Sequence, residues 1–108
     1  MSYSVCITEQ ADRDLRGLYA YIAYELLSAD NALGQLERLE AAIEGLAVFP
    51  ERHALYRVEP WHSRGFRVMP VDNYCVFYMI DAVAMTVSVL RVLYMRRDLE
   101  KALRDDRQ

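Results

Sequence analysis

Apolar residues recur at helical spacing in two successive blocks, and nothing else in the chain constrains its fold as tightly. The first block runs Ala11, Leu15, Leu18, Ile22 and Leu26, and the second runs Ala32, Leu36, Leu39, Ile43 and Leu46. Steps of three and four put each set on one stripe of an α-helix. Asp12, Arg13, Asp14 and Arg16 begin the wet face of the first helix. Glu37, Arg38, Glu40 and Glu44 form that of the second. Thr8 is placed to cap the first helix. Pro50 ends the second, because the residue before a proline is pushed out of helical backbone. Only Leu27-Ser28-Ala29-Asp30-Asn31 separates the blocks, a length that suits an antiparallel helical hairpin. Stripes of this kind are core and carry no chemistry.

Outside the helices the pattern is that of strands. Residues 3–7 read as a short first strand, and three further runs cover 66–71, 74–80 and 86–94. Asp72-Asn73 is a two-residue turn, and short connections between consecutive strands favour an antiparallel meander. The middle run is apolar on both faces, with Val76, Tyr78 and Ile80 against Cys75, Phe77 and Met79. It is therefore a central strand covered on both sides, or covered on one side by a partner. Residues 97–108 close the chain as a short helix or tail. The order is β-α-α-β-β-β-(α), a helical hairpin packed on one face of a small antiparallel sheet, hence an α+β fold. At 108 residues the expectation is a single domain spanning 1–108.

Composition narrows the setting. The chain is 54% apolar, enough to bury a core, yet no apolar run approaches the roughly 20 residues of a membrane span. Its first residues lack the basic and long apolar regions of a signal peptide. A cytoplasmic protein with no membrane partner is expected. Cys6 and Cys75 both lie in strand-like runs and read as buried, reduced thiols. A disulfide does not suit a reducing compartment, and no CxxC or HxxxH spacing offers a zinc site. No metal and no other cofactor is expected.

Charge divides the chain. Residues 1–50 hold eight acids and three arginines, whereas residues 51–97 hold four acids and seven arginines. Arginine suits bidentate contacts to phosphate and carboxylate, so function belongs to the second half. The connection 51–65 lacks periodicity, and long connections are often functional. Trp61 with Arg57, Arg64 and Arg67 is a basic and aromatic cluster of the kind that holds single-stranded nucleic acid. A loop anchored over the core by Trp61 fits the same residues equally well. His62 sits beside Trp61 as an acid/base candidate with an ordinary pKa near 6.5, and His53 is a weaker one.

Several segments together resemble the RelE/ParE-type toxins of bacterial type II toxin–antitoxin systems, also called plasmid stabilisation proteins. The first is Ile7 to Ile22, with Asp14-Leu15 and Tyr19-Ala20-Tyr21-Ile22. Ala42 to Leu46, then Phe49-Pro50-Glu51-Arg52, follow. The set is completed by Gly65 to Val71, Asn73 to Tyr78, and Val89 to Asp98. The resemblance implies the fold read above and a cognate antitoxin whose C-terminal segment wraps the toxin. It also implies a homodimer, or a heterotetramer with the antitoxin. Two activities live on this fold: RelE-like members cleave mRNA in the ribosome, and ParE-like members poison DNA gyrase. Ribosome-dependent cleavage is the leading expectation, with gyrase inhibition, or binding without toxicity, as alternatives.

Metal-independent cleavage by an endoribonuclease needs a proton taken from the 2′-hydroxyl, cations on the phosphorane and a proton for the leaving oxygen. By resemblance, Arg67 and Arg96 stand where such members carry basic residues, and Tyr94 stands where some relatives have His or Tyr. Arg91 matches the "RV" of the last strand. By alternation it shares a face with Val87 and Val89, so the alternative is a partly buried structural arginine. One departure stands out. RelE-like nucleases usually place an arginine directly after the tyrosine of the second meander strand, where this chain has Cys75, and a neutral thiol cannot stabilise a phosphorane.

Overall fold

Thr8 begins the helical layer of the computed structural model, which describes residues 2–105. Its hydroxyl accepts the Ala11 N–H at 3.2 Å at the start of α1 (Glu9–Ala20) and donates to the Val89 carbonyl at 2.9 Å. The cap thus satisfies a helix N–H and also stitches α1 to β4 (Thr86–Tyr94). Beyond Ala20 the helix widens into one π-helical turn, Tyr21–Glu25. Leu27 then takes a left-handed backbone, φ 54°, and α2 (Ala29–Glu44) returns antiparallel to α1. The π turn shifts the phase of the stripe. Leu26, expected in the core, is 56% exposed for that reason.

The remaining strands are β1 (Ser4–Ile7), β2 (Arg67–Val71) and β3 (Tyr74–Asp81), and the sheet order is β1-β4-β3-β2. The meander β2-β3-β4 is antiparallel, as the short turns dictate. β1 pairs with β4 in parallel, with Val5 opposite Val87, so the sheet is mixed. The meander rule governs consecutive strands only. The helical hairpin carries the chain from β1 across to β2 at the far edge, so β1 runs parallel to β2 and, after the two reversals of the meander, parallel to β4. Between Phe77 and Tyr78 the register slips, leaving Leu90 of β4 without an opposite number.

The helical stripes bury one sheet face: Leu15, Leu18, Leu39, Ile43 and Leu46 pack on Met69, Val76, Tyr78, Val87, Val89 and Val92. The other face carries a second core, in which Cys75, Phe77 and Leu93 are covered by Trp61, Ala102 and Leu103. Its lid is the chain itself, the 53–66 connection together with α3 (Leu99–Arg104). That explains why β3 is apolar on both faces without any partner. The closing helix is formed, while residues 106–108 of the expected helix or tail lie outside the described residues. Cys6 corrects another expectation. It is free and exposed, because β1 is an edge strand and Val5, not Cys6, turns toward the helices.

Candidate functional site

The hairpin tip and the neighbouring end of the sheet enclose an open cleft of about 910 Å³. α1, its π turn and α2 form one wall, and the start of β3 and the end of β4 form the other. Three tyrosines line it, Tyr21, Tyr74 and Tyr94, with three arginines, Arg13, Arg38 and Arg97. β3 and β4 place Tyr74 directly opposite Tyr94, and the two rings meet edge-on at 5.7 Å between centroids. Burial holds the Tyr74 hydroxyl above its ordinary pKa, and the nearby Tyr94 and Tyr21 hydroxyls add to the shift. It is a protonated donor at neutral pH, and it shows that the three phenols share one neighbourhood.

Two of the three arginines are engaged locally. Arg38 donates to Asp72 Oδ2 at 2.8 Å, and Gln35 donates to the same oxygen at 2.9 Å. Those bonds hold the Asp72 carboxyl below its usual range and tie α2 to the β2–β3 turn. Arg13 donates to Gln10 at 2.8 Å. Arg97 follows β4 in a turn, where its N–H donates to the Tyr94 carbonyl at 3.0 Å. It has no ionic partner among the described residues.

The arginines and aromatics singled out in the sequence do not gather there as a set. Tyr94 lines the cleft at 44% exposure, and Arg96 beside it is exposed. Arg67 lies at the other end of the sheet, since it pairs with Tyr78 whereas Tyr94 pairs with Tyr74. Four residues of β3 separate those pairs, roughly 13 Å at about 3.3 Å per residue. Arg67 also donates to the His53 carbonyl at 2.6 Å and the Glu51 carbonyl at 3.3 Å, which aims it into the connection after α2. Arg91 is inside the protein. Its guanidinium grips the Asp14 carboxylate with Nε–Oδ2 2.8 Å and Nη2–Oδ1 3.0 Å, at side-chain exposures of 6% and 9%.

Trp61 is the anchor of its loop. It is 3% exposed and packs against Cys75, Phe77 and Leu93, so it offers no face on which a base could stack. Arg57, His62 and Arg64 stay on the outside of that loop, and His62 Nδ1 lies 3.0 Å from the Tyr56 carbonyl oxygen. Cys75 points into the second core, where burial pushes the thiol pKa up. It is a neutral apolar filler under α3. His53 is partly buried with its ring edge-on to Tyr78 at 6.4 Å. Among the described residues no group of His, Cys, Asp and Glu side chains is arranged to hold a metal ion. No helix is long and apolar enough there to cross a membrane.

Tyr21, Tyr74, Arg97 and Asp14 escaped the sequence reading as site or support residues. Tyr74 and Tyr94 each end a strand beside a turn, a signal that adjacency across the meander could have joined. Asp14 left no such signal, because its partner lies 77 residues away.

A family model described as the ParE toxin of the type II toxin–antitoxin system parDE matches residues 5–99. Among solved structures, the chromosomal ParDE system of P. aeruginosa superposes with TM-score 0.70 at 18% identity, over 85% of this chain and 95% of that one. The RelBE2 toxin–antitoxin complex of Mycobacterium tuberculosis gives 0.60 at 27% identity, over 87% and 99%. A mutant E. coli RelE toxin in the free state gives 0.64 at 16% identity, over 94% and 93%. No curated protein sequence matches the chain.

Proposed function

The chain belongs to the ParE toxin family of type II toxin–antitoxin systems, and from that premise we propose that it arrests growth by gripping a protein target, DNA gyrase. Its other partner is a cognate antitoxin, a reading supported by two structural relatives that are themselves a toxin–antitoxin system and a toxin–antitoxin complex. The observation that carries the binding mode is the burial of Arg91 against Asp14. Stabilising a phosphorane calls for cations aimed at one point in a site that accepts RNA. Here Arg91 is neutralised in the interior, Arg67 is turned toward backbone carbonyls, and the position after Tyr74 is a thiol sealed under α3.

The deciding experiment adds purified toxin to gyrase and relaxed plasmid, and in parallel maps mRNA from toxin-expressing cells by primer extension. Loss of supercoiling with accumulation of cleaved gyrase–DNA complex, and no new mRNA ends, is the expected result. Unchanged supercoiling would refute the gyrase reading.

Ribosome-dependent mRNA cleavage is the second reading, favoured by one feature: an exposed Tyr94 at the cleft, with Arg96 and Arg97 two and three residues after it. In that case mRNA ends appear within codons, and Tyr94→Phe abolishes them.

A further inference from the structure

Five of the twelve large apolar side chains exposed among the described residues fall between residues 21 and 33: Tyr21, Tyr24, Leu26, Leu27 and Leu33. Scattered single apolar residues need no explanation, but a concentration of this kind marks an interaction surface. Leu27 is 85% exposed and Tyr24 71%. The backbone beneath them is irregular as well. Tyr24 sits in the π turn, and Leu27 holds φ 54°, a left-handed conformation disfavoured for a branched side chain. Leu27 is the left-handed residue that ends the first helix of the hairpin, where the Ser28 N–H donates to the Ile22 carbonyl at 3.1 Å, and that turn fixes its side chain in solvent.

We infer that the hairpin tip around Tyr24 and Leu27 is the surface with which this toxin grips its protein target, in an apolar recess rimmed by Lys and Arg. The inference rests on the binding mode proposed above. Charge selects the occupant. From Gly17 to Leu36 the chain carries two acids, Glu25 and Asp30, and no base. The tip itself offers no cation to a phosphate-bearing partner, and the arginines nearest it, Arg13, Arg38 and Arg97, line the adjoining cleft instead. A protein surface with basic residues around an apolar pocket complements it. Tyrosine is also a side chain that interfaces favour, because it buries a large area at low entropic cost. The tip adjoins the cleft, since Tyr21 and Leu26 also line it, whereas Tyr24 and Leu27 do not. The last two therefore separate target binding from whatever occupies the cleft.

The test uses Tyr24→Gln and Leu27→Asn, singly and together, in the full-length toxin. Asn tolerates the left-handed backbone, so folding is retained, and the thermal midpoint checks it. Three quantities are read: affinity for purified gyrase holoenzyme, affinity for the cognate antitoxin, and growth arrest on expression. The double variant is expected to bind gyrase at least tenfold more weakly, to bind antitoxin as the wild type does, and to lose growth arrest. A folded double variant that binds gyrase or arrests growth like the wild type overturns the inference. So does one that loses antitoxin binding but keeps toxicity. If the wild-type toxin itself does not bind gyrase, the gyrase reading fails. Growth arrest then decides the tip alone: arrest lost with folding and antitoxin binding intact upholds the surface, and arrest retained overturns it.

Discussion

Arg91 and Asp14 close a two-point ion pair beneath the protein surface, and through it α1, β4 and α3 are tied together. β1 ends at Ile7, opposite Val89, so β4 has a bare edge beyond that point. Asp14 Oδ2 fills it by accepting the Val92 N–H at 2.9 Å as well as the Arg91 Nε–H. The other arm of Arg91 donates to the Ala102 carbonyl of α3 at 2.9 Å. Each charge is thus desolvated only because the fold surrounds it with partners.

Breaking that pair on one side leaves an uncompensated buried charge. Asp14→Ala or Arg91→Ala is expected to cost about 3–5 kcal/mol. At about 4–8 °C per kcal/mol for a domain of this size, the melting temperature falls by more than 10 °C, as read by circular dichroism. Asp14→Leu combined with Arg91→Met recovers part of the loss, because no charge is then left buried. Toxicity of the single variants follows their folded fraction.

Trp61 is the only tryptophan in the chain and is 3% exposed. Its fluorescence is expected to be blue-shifted and resistant to iodide until the protein unfolds. Trp61→Ala should cost about 3–5 kcal/mol, the usual result of emptying an aromatic site. Affinity of the folded protein for single-stranded RNA should not change. A fall in RNA affinity without a fall in stability would return Trp61 to the list of binding residues.

The two thiols are expected to differ sharply. Cys6, exposed on the edge strand, reacts quickly with a thiol reagent. Cys75 reacts only at the rate at which α3 lifts or the domain opens, because it is buried and its pKa is raised. Cys75→Arg restores the residue type of RelE-like nucleases, yet it forces a charge under α3. Destabilisation without ribosome-dependent cleavage is the expected outcome, checked by melting and primer extension together.

His53 links stability to pH. Burial, with the neighbouring Arg52 charge, holds its pKa below the ordinary 6.5. The unfolded chain therefore binds a proton more readily than the folded one, and acid favours unfolding. The stabilisation is complete above the unfolded value and is lost as pH falls from there through the lowered folded value. His53→Asn should flatten the fall in melting temperature between about pH 7.5 and about pH 5.5 relative to the wild type.

Periodicity along the chain was sufficient for the helical hairpin and the meander. Leu15, Leu18, Leu39, Ile43 and Leu46 are buried on the stripes that their spacing defines, and Thr8 caps the helix that it precedes. Each of these depends on neighbours within a turn or two, so local sequence contains the information. Leu26 marks the limit of that logic, since one π turn rotated it out of the core.

The roles of the arginines were not legible in the same way. All of them look alike as letters, and the clustering in residues 51–97 points only to the half of the chain that carries function. The fold sends Arg91 to Asp14, 77 positions away, and Arg67 to the carbonyls of the connection after α2, while Arg97 is left facing the cleft. The sequence by itself determined which segments must bury an apolar face, because hydrophobic period is a local property. Only the tertiary structure decided which charges are spent internally and which remain outward, because a guanidinium is neutralised by whichever carboxylate or carbonyl the chain brings within about 3 Å, and that choice is made by contacts distant in sequence.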